Sequence, residues 1–536
     1  MMSAQASTPP PAHRSDRSRT ALMLACVAII AAYVMMIDLK GISTDEGIRV
    51  GIINGGRPYV LGVEPAQAGW GEVLATNWPY AYQPLYFLLQ NTLMSVARTN
   101  DVVFLRLVNV GFLWVSLMGL VVLTREWRLT PRLFLLGIFG FNAYLIMHVL
   151  QIREYIAGVA FYIWSTWFVL RLDARPLGRT WADVGWFTAY GLLLATGFYL
   201  QSWIVFPAIG QGLFLAVRRG PGRLRFYAHL ALSYLTVYSL TWPYLATHRQ
   251  KVDVGRWGEL GTDLGRQLND GFHFVLTGHQ SGRHAAMDAL FWFWLAVLAA
   301  AGLALLTRAS REHATASRRD CLHQGPLVLA CMILPLGMQV AYFFKHDNLS
   351  VWPRYFVVHY FFLYWLLGLG VRHLHELGLA AAAAPMIRRL AHSIAALAVG
   401  VMIASAVFQV RSYYRDPLVD TSLTVHSNWR TLSRELSLVL QPGDVVLTHD
   451  FISRATLSFT RPLAHRIHIL AEVEEADLQD TRRLVYLEPN GYITERTELA
   501  ARLARLGFGT AQELPVHVTE GRSVQPEWRF VAFSRP

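Results

Sequence analysis

Long apolar runs separated by short polar loops dominate the first 410 residues of the chain. A helix needs about 20 apolar residues to cross a hydrocarbon core of about 30 Å. The pattern predicts eleven membrane-spanning helices, at 21–37, 102–124, 133–150, 155–171, 183–200, 203–217, 227–246, 288–307, 326–344, 354–371 and 389–409. We therefore expect a polytopic α-helical membrane protein.

One further apolar segment, "QPLYFLLQNTLMSVAR" at 83–98, breaks the alternation of charged loops. Counting it as a span would put the arginine-rich loop "REWRLTPR" (125–132) outside, whereas positively charged short loops stay in the cytoplasm. We interpret 83–98 as a helix that lies at the outer interface, or that dips into the membrane and returns.

The arginines of the remaining loops define the orientation. The polar leader 1–20 and every second loop are basic, which places them in the cytoplasm. The first outer loop (38–101) and the tail (411–536) then lie outside. The predicted location is the bacterial inner membrane, with a cytoplasmic N-terminus and a periplasmic or other extracytoplasmic C-terminus.

The tail 411–536 differs from the membrane domain 21–410 in its pattern. "GDVVLTHD", "RRLVYLEP", "LPVHV" and "WRFVAFS" are typical of strands, whereas "LSRELSLVL" and "ELAARLARLGFG" are typical of helices. A glycine closes the second helix, so "GFGT" ends a helix and is not a phosphate-binding loop. We predict a small extracytoplasmic α/β domain.

Composition and charge narrow the class of protein. Apolar residues make up 54% of the chain and charged residues 16%, which is too little charge for a soluble protein of this size. The net charge is +12, yet the tail alone carries −1. The basic excess therefore belongs to the membrane half, where it meets lipid headgroups, and does not indicate nucleic-acid binding. The three cysteines indicate neither a disulfide framework nor a metal site.

Two adjacent acids, Asp45 and Glu46, follow the first apolar run within a few residues. On a helix, neighbouring residues point about 100° apart, so the two carboxylates cannot share one role. A simple helix start with Ser43 or Thr44 as the cap is the alternative. The loop behind them (51–83) is rich in aromatic residues and glycines, as in a lid at the membrane surface.

This arrangement resembles the GT-C glycosyltransferases. The resemblance rests on the acidic pair after the first span and on "AYQPLYFLL", "FLRLVNVGFLWVSLMGLVVLTREW", "QIREYIAGVAFYIWSTWFVLRL" and "WPRYFVVHYFFLYWLLGLG". The nearest groups are the protein O-mannosyltransferase and aminoarabinose-transferase types and the bacterial family that uses polyprenyl-phosphate sugars. It covers roughly residues 20–410 and implies a GT-C-like fold with about eleven transmembrane helices and additional outer-surface juxtamembrane helices.

The resemblance implies a membrane enzyme that transfers a sugar from a polyprenyl phosphate to a glycan, lipid or protein acceptor outside the cytoplasm. Asp45 corresponds to the catalytic base, which takes the proton of the acceptor hydroxyl. Glu46 corresponds to its partner, which orients the acceptor or Asp45 itself. No cofactor is expected. A divalent metal is not expected either, because the leaving group is a lipid monophosphate, but the sequence alone leaves this open.

The leaving phosphate requires cations, and arginine is the preferred clamp. Arg354 and Tyr355 correspond to the element assigned to the donor phosphate, and Arg153 to an outer-loop arginine. Lys345, in the charged loop beside Arg354, joins this set. Glu154 follows Arg153, whereas related families have an acid before that position, so a second-carboxylate role is in doubt.

Other readings remain open. A transporter or flippase would also be polytopic, but coupled transporters carry ionisable residues within their spans. A glycan polymerase or ligase that handles lipid-linked saccharides, or a non-catalytic scaffold, is a further alternative. Where many relatives of the resembled family have a histidine, this chain has Gln201. The spacing of His273, His279 and His284 does not favour a zinc site.

Overall fold

The structure is a computed structural model. It describes residues 13–37, 44–55, 68–78, 82–99, 101–175, 181–219, 224–248, 264–279, 281–282, 284–345, 356–381, 383–415, 436–448, 466–469, 473–489, 496–518 and 528–535.

Helices dominate the first 415 residues. They are α1 (His13–Met36), α2 (Thr44–Ile53), α3 (Trp70–Asn77), α4 (Pro84–Ala97), α5 (Val102–Leu123), α6 (Leu129–Gly140), α7 (Ala143–Val149), α8 (Tyr155–Ala174), α9 (Trp181–Leu200), α10 (Val205–Arg219), α11 (Leu224–His248), α12 (Leu264–Thr277), α13 (Ala285–Leu306), α14 (Arg308–His313), α15 (Thr315–Lys345), α16 (Val357–Leu379) and α17 (Pro385–Arg415). A short 3₁₀ turn, Ser202–Ile204, leads into α10.

Seven helices of the described chain are long and apolar enough to cross a membrane: α1, α5, α8, α13, α15, α16 and α17. The pair α6 and α7, which is bent by 60° at a short break, would be an eighth. The chain is therefore a multi-pass membrane protein, as predicted. The count of eleven is not reproduced by this measure. Of the other three predicted spans, α10 has only 15 residues, and α9 and α11 are rich in Trp, Tyr, Ser and Thr.

The apolar segment 83–98, which interrupts the predicted alternation of basic and outer loops, forms α4. Its 14 residues extend over about 21 Å, which is short of the hydrocarbon thickness of about 30 Å. Pro84 is the first residue of the helix. Proline is tolerated there because the N–H that it lacks would have no hydrogen-bond partner within the first turn. A juxtamembrane helix rather than a span fits this length.

The core of the bundle is α16. Its first part, residues 357–371, is almost entirely apolar, as expected for a helix segment without a solvent face. It contacts α6, α8, α13, α15 and α17, and Trp365, Tyr360 and Tyr364 are completely buried. The Tyr360 hydroxyl donates to the Phe139 carbonyl at 2.5 Å, so its polar group is satisfied inside the bundle.

The tail contains a five-stranded mixed sheet. Its strands are β1 (Val445–Thr448), β2 (Arg466–Ile469), β3 (Arg483–Pro489), β4 (Thr510–Val518) and β5 (Trp528–Ser534). The order is β2-β1-β3-β5-β4, with β2, β1 and β3 parallel and β5 antiparallel to both neighbours. The predicted α/β domain is confirmed, and the short β2 was missed. The domain boundary at 411 stays a prediction, since α17 runs on to Arg415.

The last helix of the tail, α18 (Arg496–Arg505), ends as predicted. Gly507 has a φ of 85°, a conformation that favours glycine. The Phe508 N–H then donates to the Leu503 carbonyl at 2.9 Å. Leu503 and Phe508 pack with Val445 and Leu447 on one face of the sheet. The segment "GFGT" is thus a helix end.

Candidate active site

The acidic pair lies in the first turn of α2. This helix follows the end of α1 after a short connection, and Thr44, Asp45 and Glu46 are its first residues. Residues 38–43, and the side chain of Asp45, lie outside the described part of the chain. The position of Asp45 on the helix is therefore known, and the contacts of its neighbour define how the helix is held.

Glu46 is completely buried, and Arg106 binds its carboxylate. Arg106, near the start of α5, donates from Nε to Oε1 at 3.2 Å and from Nη2 to Oε1 and Oε2 at 3.1 and 3.2 Å. The N–H of Ile152 donates to the same Oε1 at 2.9 Å. The Arg106 Nη1 atom binds the Ile37 carbonyl at 2.9 Å. One ion pair therefore joins the end of α1, α2, α5 and the turn before α8.

A second buried ion pair lies one helical turn further along α2. Arg49 donates from Nε to Glu154 Oε2 at 3.2 Å and from Nη2 to Oε1 at 3.5 Å. Its guanidinium also lies over the ring of Tyr82, 4.7 Å from the centroid. Burial alone would raise the pKa of the Glu154 carboxyl, but the Arg49 charge and hydrogen bonds outweigh burial and hold the pKa below its usual range. Glu154 is thus held in its charged form.

The turn 151–154 is the point on which these contacts converge. Asn109 donates from its side-chain amide to the Gln151 carbonyl, and the Arg153 N–H donates to the same carbonyl at 2.8 Å. The Arg153 side chain is buried, and its guanidinium lies 5.8 Å from the centroid of the Tyr155 ring. The turn is therefore fixed through its backbone and through its charged side chains.

Polar side chains of α4 bind Asn109 of α5 and the end of α2. The Tyr86 hydroxyl donates to Asn109 Oδ1 at 3.0 Å, and Gln90 Nε2 donates to that hydroxyl at 3.1 Å. Asn91 Nδ2 donates to the carbonyl of Ile53, the last residue of α2, at 3.0 Å, and to a carbonyl just before α3 at 3.1 Å. Helix α4 thus orients Asn109 and holds the far end of α2.

Apolar side chains surround the polar network. A buried cluster that includes Val50, Ile53, Leu105, Ile152 and Leu200 lies between α2, α4, α5, the turn and the end of α9. In such surroundings each charge pair interacts more strongly than in water, and an unpaired charge costs more. The two ion pairs therefore fix the position of α2 closely.

The structure brings some of the predicted site residues together. Glu46 accepts the N–H of Ile152, the residue before Arg153 in the turn 151–154, and Asp45 precedes Glu46 on α2. Lys345 is the last residue of α15, and its side chain lies outside the described residues, as do Arg354 and Tyr355 altogether. The phosphate-binding roles of these residues stay predictions.

Sequence reasoning missed the two arginines that pair with the acids. Arg106 is a charged residue inside the apolar run 102–124, and such residues within a span usually have a dedicated partner. Arg49 is three positions after Glu46, so both face the same side of α2. Those two signals were available. The pairing of Arg49 with Glu154 could not be predicted, because the two residues lie 105 positions apart in sequence.

Gln201 lies beside the site. It follows α9, is buried, and packs on the first turn of α8, where a Cβ on Gly158 would come within 2.7 Å of the Gln201 Cγ atom. This close approach requires a glycine at position 158. The position at which the resembled family carries a histidine is therefore in contact with the helix that begins at the turn.

Within the described residues, no three His, Cys, Asp or Glu side chains converge in an arrangement suited to a metal ion. His273 instead joins α12 to α13, with Nδ1 2.7 Å from the His279 carbonyl oxygen and Nε2 2.8 Å from Asp288 Oδ1. The metal requirement is not tested by this and stays a prediction.

No protein-family model matches the chain, and no curated protein matches it. Among solved structures, it is similar to ArnT from Cupriavidus metallidurans in the apo state, with 14% identity and a TM-score of 0.54 over 96% of this chain and 98% of that one. The ArnT structure bound to undecaprenyl phosphate gives 13% identity and a TM-score of 0.50 over 95% and 98%. The likeness shows the GT-C fold, as the resemblance in the sequence predicted.

Proposed function

We propose that this chain, which has the GT-C fold, is a membrane glycosyltransferase that moves a sugar from a polyprenyl-phosphate donor to an acceptor hydroxyl. The observation that carries the proposal is the extent of the fold likeness, which includes 95% of this chain and 98% of the ArnT chain bound to undecaprenyl phosphate. The two buried ion pairs that hold α2, the helix on which Asp45 lies, support the proposal further.

The reaction requires a base at the level of the lipid phosphate. The acceptor oxygen attacks the anomeric carbon, the bond between that carbon and the phosphate oxygen breaks, and the phosphate leaves with the electron pair. The acceptor proton passes to Asp45. Asp45 is suited to this role because it lies at the end of a span, on a helix that two buried ion pairs hold in place.

Glu46 and the cations have different roles in this scheme. Both carboxylate oxygens of Glu46 are bound by Arg106 and Ile152, which favours orientation of α2 over proton transfer. We assign Arg153, whose side chain is buried at the turn 151–154, to the donor phosphate. We assign Arg354, Tyr355 and Lys345 to the same phosphate, from the resemblance alone.

The test is sugar transfer from a radiolabelled polyprenyl-phosphate sugar by the purified protein and its Asp45→Asn variant. A general base contributes about 10²–10⁴-fold, so we expect the variant to lose at least about a hundredfold in transfer while its Tm stays unchanged. Asp101→Asn is the matched control. Asp101 caps α5 through a bond to the Val103 N–H of 2.8 Å, and asparagine is an equally good cap.

Two other results would redirect the assignment. Near-wild-type transfer by Asp45→Asn would remove Asp45 from the mechanism while leaving the enzyme class intact. Absence of transfer with any polyprenyl-phosphate sugar, together with tracer uptake into proteoliposomes, would favour a transporter or flippase over a glycosyltransferase.

We also infer that the tail lies on the same side of the membrane as α2, outside the cytoplasm. The support is the arginine content of the alternate loops. An alkaline-phosphatase fusion at Pro536 should be active and a green fluorescent fusion dark. A fluorescent fusion would contradict this orientation.

A further inference from the structure

Gln201 and Tyr162 are two buried polar side chains near the start of α8. Gln201 is 1% exposed and Tyr162 is completely buried. Within the part of the chain that the structure describes, neither the Gln201 Nε2 atom nor the Tyr162 hydroxyl has a hydrogen-bond partner. Most buried polar groups in proteins are paired, and an unpaired one lowers stability. Two such groups at one place therefore point to a partner outside the protein chain.

Both side chains meet at Gly158 of α8. A Cβ atom at this position would lie 2.7 Å from the Gln201 Cγ atom and 3.3 Å from the Tyr162 hydroxyl oxygen. The close approach of Gln201 thus depends on the missing side chain of Gly158. Side chains of a helix point back toward its N-terminus, so the Tyr162 hydroxyl lies beside the preceding turn of α8. An amide group and a phenol group therefore lie at the same place.

This place is one helical turn away from the turn 151–154. Gly158 follows Glu154 by four residues, which is about 6 Å along the axis of α8, and its N–H donates to the Glu154 carbonyl at 3.1 Å. Tyr155, three residues before Gly158, lies on the same side of the helix. The amide and the phenol are therefore about one turn from Arg153, which we assign to the donor phosphate.

The next polar groups along α8 are paired with each other. Gln211 Nε2 donates to the Ser165 Oγ atom at 2.9 Å, and Gln211 Oε1 accepts the Tyr190 hydroxyl at 2.8 Å. Tyr190 and Gln211 are completely buried. An amide and a phenol thus satisfy each other inside this bundle, whereas Gln201 and Tyr162 have no such bond among the described residues. The contrast separates a structural polar contact from a pair of groups suited to a ligand.

We propose that Gln201 and Tyr162 bind hydroxyl groups of the donor sugar. This rests on the proposed function, in which Arg153 binds the phosphate to which that sugar is attached. The Gln201 amide donates to a hydroxyl oxygen and the Tyr162 phenol donates or accepts, which matches the groups on a sugar ring. Both are enclosed, and Tyr155 lies between them and the turn, so we expect its side chain to move when the sugar binds. Such a site rejects a sugar that lacks the bound hydroxyl.

The test compares two Tyr→Phe variants of the purified full chain. Tyr162→Phe removes a hydroxyl that has no partner among the described residues, so we expect the Tm without lipid donor to stay the same or rise. In the matched control, Tyr190→Phe, Gln211 loses a partner, so the Tm should fall while sugar transfer stays unchanged. With a radiolabelled polyprenyl-phosphate sugar, we expect the KM for the donor to rise about 2- to 10-fold in Tyr162→Phe and in Gln201→Leu.

Thermal shifts supply a readout that does not require transfer. A ligand that binds the folded state raises the Tm by an amount that grows with its affinity. We expect a polyprenyl-phosphate sugar to stabilise the wild-type protein more than polyprenyl phosphate alone does. Tyr162→Phe and Gln201→Leu should lose this difference between the two lipids, and Tyr190→Phe should keep it.

Three results would overturn the proposal. If Tyr162→Phe lowered the Tm as Tyr190→Phe does, an internal water would be the partner of the hydroxyl. An unchanged KM for the donor in both Tyr162→Phe and Gln201→Leu, or a rise in the KM for the acceptor alone, would remove the sugar site and leave the enzyme class intact. Absence of transfer by the wild-type protein would instead contradict the proposed function, and the thermal shifts with the two lipids would still decide whether these groups bind the sugar.

Discussion

The two ends of α8 both carry ion pairs, but they differ in their exposure to water. Glu154 precedes the helix and Asp173 lies in its last turn, about 29 Å away. At the first end, the exposed fractions are 1% and 2% for Glu46 and Arg106. At the second end, Asp173 is 9% exposed, and its partners His323 and Arg218 are 23% and 53% exposed.

This difference indicates two kinds of constraint. At the α2 end, carboxylates and guanidiniums are both removed from water, so each depends on protein groups for its hydrogen bonds. At the far end, Asp173 and Arg219 are largely covered, while Arg218 and His323 extend toward solvent or headgroups, as basic side chains at a membrane boundary do. The first end fixes the geometry of a site, whereas the second end mainly connects helix ends and marks the basic side of the membrane.

The largest effect should come from removing one partner of the most deeply buried pair. Arg106→Met leaves the Glu46 carboxyl group buried and without its guanidinium partner. We expect a loss of about 3–5 kcal/mol in the free energy of unfolding, seen as a lower Tm in detergent and a lower yield of folded protein.

A double variant distinguishes stability from positioning. Replacing a buried pair by apolar residues is often neutral for stability, so Arg106→Met combined with Glu46→Leu should recover most of the Tm. Sugar transfer should stay low, because α2 is no longer bound to Ile152 and α5. Full recovery of transfer in the double variant would show that the pair contributes stability alone.

Part of this contrast could be predicted from the sequence. The apolar runs indicated most of the spans, whereas the orientation inferred from the arginine-rich loops stays a prediction. The position of Asp45 and Glu46 after the first span predicted a site at this end, and their catalytic roles stay predictions. These features are local, because they depend on run length and on charge within a few residues.

The partners of the acids could not be predicted in the same way. The bond between Glu46 and Arg106 joins residues 60 positions apart, and the bond between Arg49 and Glu154 joins residues 105 apart. Such pairs depend on how the helices pack, which no local pattern encodes. Likewise β2 was missed because its four residues have no alternation long enough to stand out from a loop.

A smaller effect is expected at the second pair of the site end. Glu154→Gln keeps the size of the side chain and removes its charge, so the hydrogen bonds from Arg49 lose their ionic component. We expect a loss of about 1.5–3 kcal/mol in the free energy of unfolding at neutral pH, together with a rise in KM for the lipid donor, because Arg153 is adjacent.

The pH dependence of this loss tests its electrostatic origin. The folded-state pKa of Glu154 lies below its ordinary value of 4.5, so the pair contributes its full stability above that value. The contribution is lost as the pH falls through the depressed folded-state pKa. The Tm difference between wild type and Glu154→Gln should therefore be constant at neutral pH and shrink only below about pH 4.5. A difference that varies between pH 6 and 8 would contradict the assignment.

The smallest effect should come from the far end of the same helix. Asp173 accepts a bond of 2.6 Å from His323 Nε2, and its substitution by asparagine keeps an acceptor for that ring. Arg219 retains bonds to the carbonyls of Leu172 and Arg175 at 2.9 and 3.0 Å, so no buried guanidinium loses all of its partners. The partly exposed charges are screened by water and salt. We therefore expect Asp173→Asn to lower the free energy of unfolding by about 1 kcal/mol, with less loss at high salt and unchanged kcat and KM for sugar transfer.

Measuring Asp173→Asn beside Glu154→Gln compares two acids at the two ends of one helix. A loss of transfer in Asp173→Asn as large as in Glu154→Gln would mean that α8 communicates between its ends, and the distinction between a positioning end and a connecting end would fail.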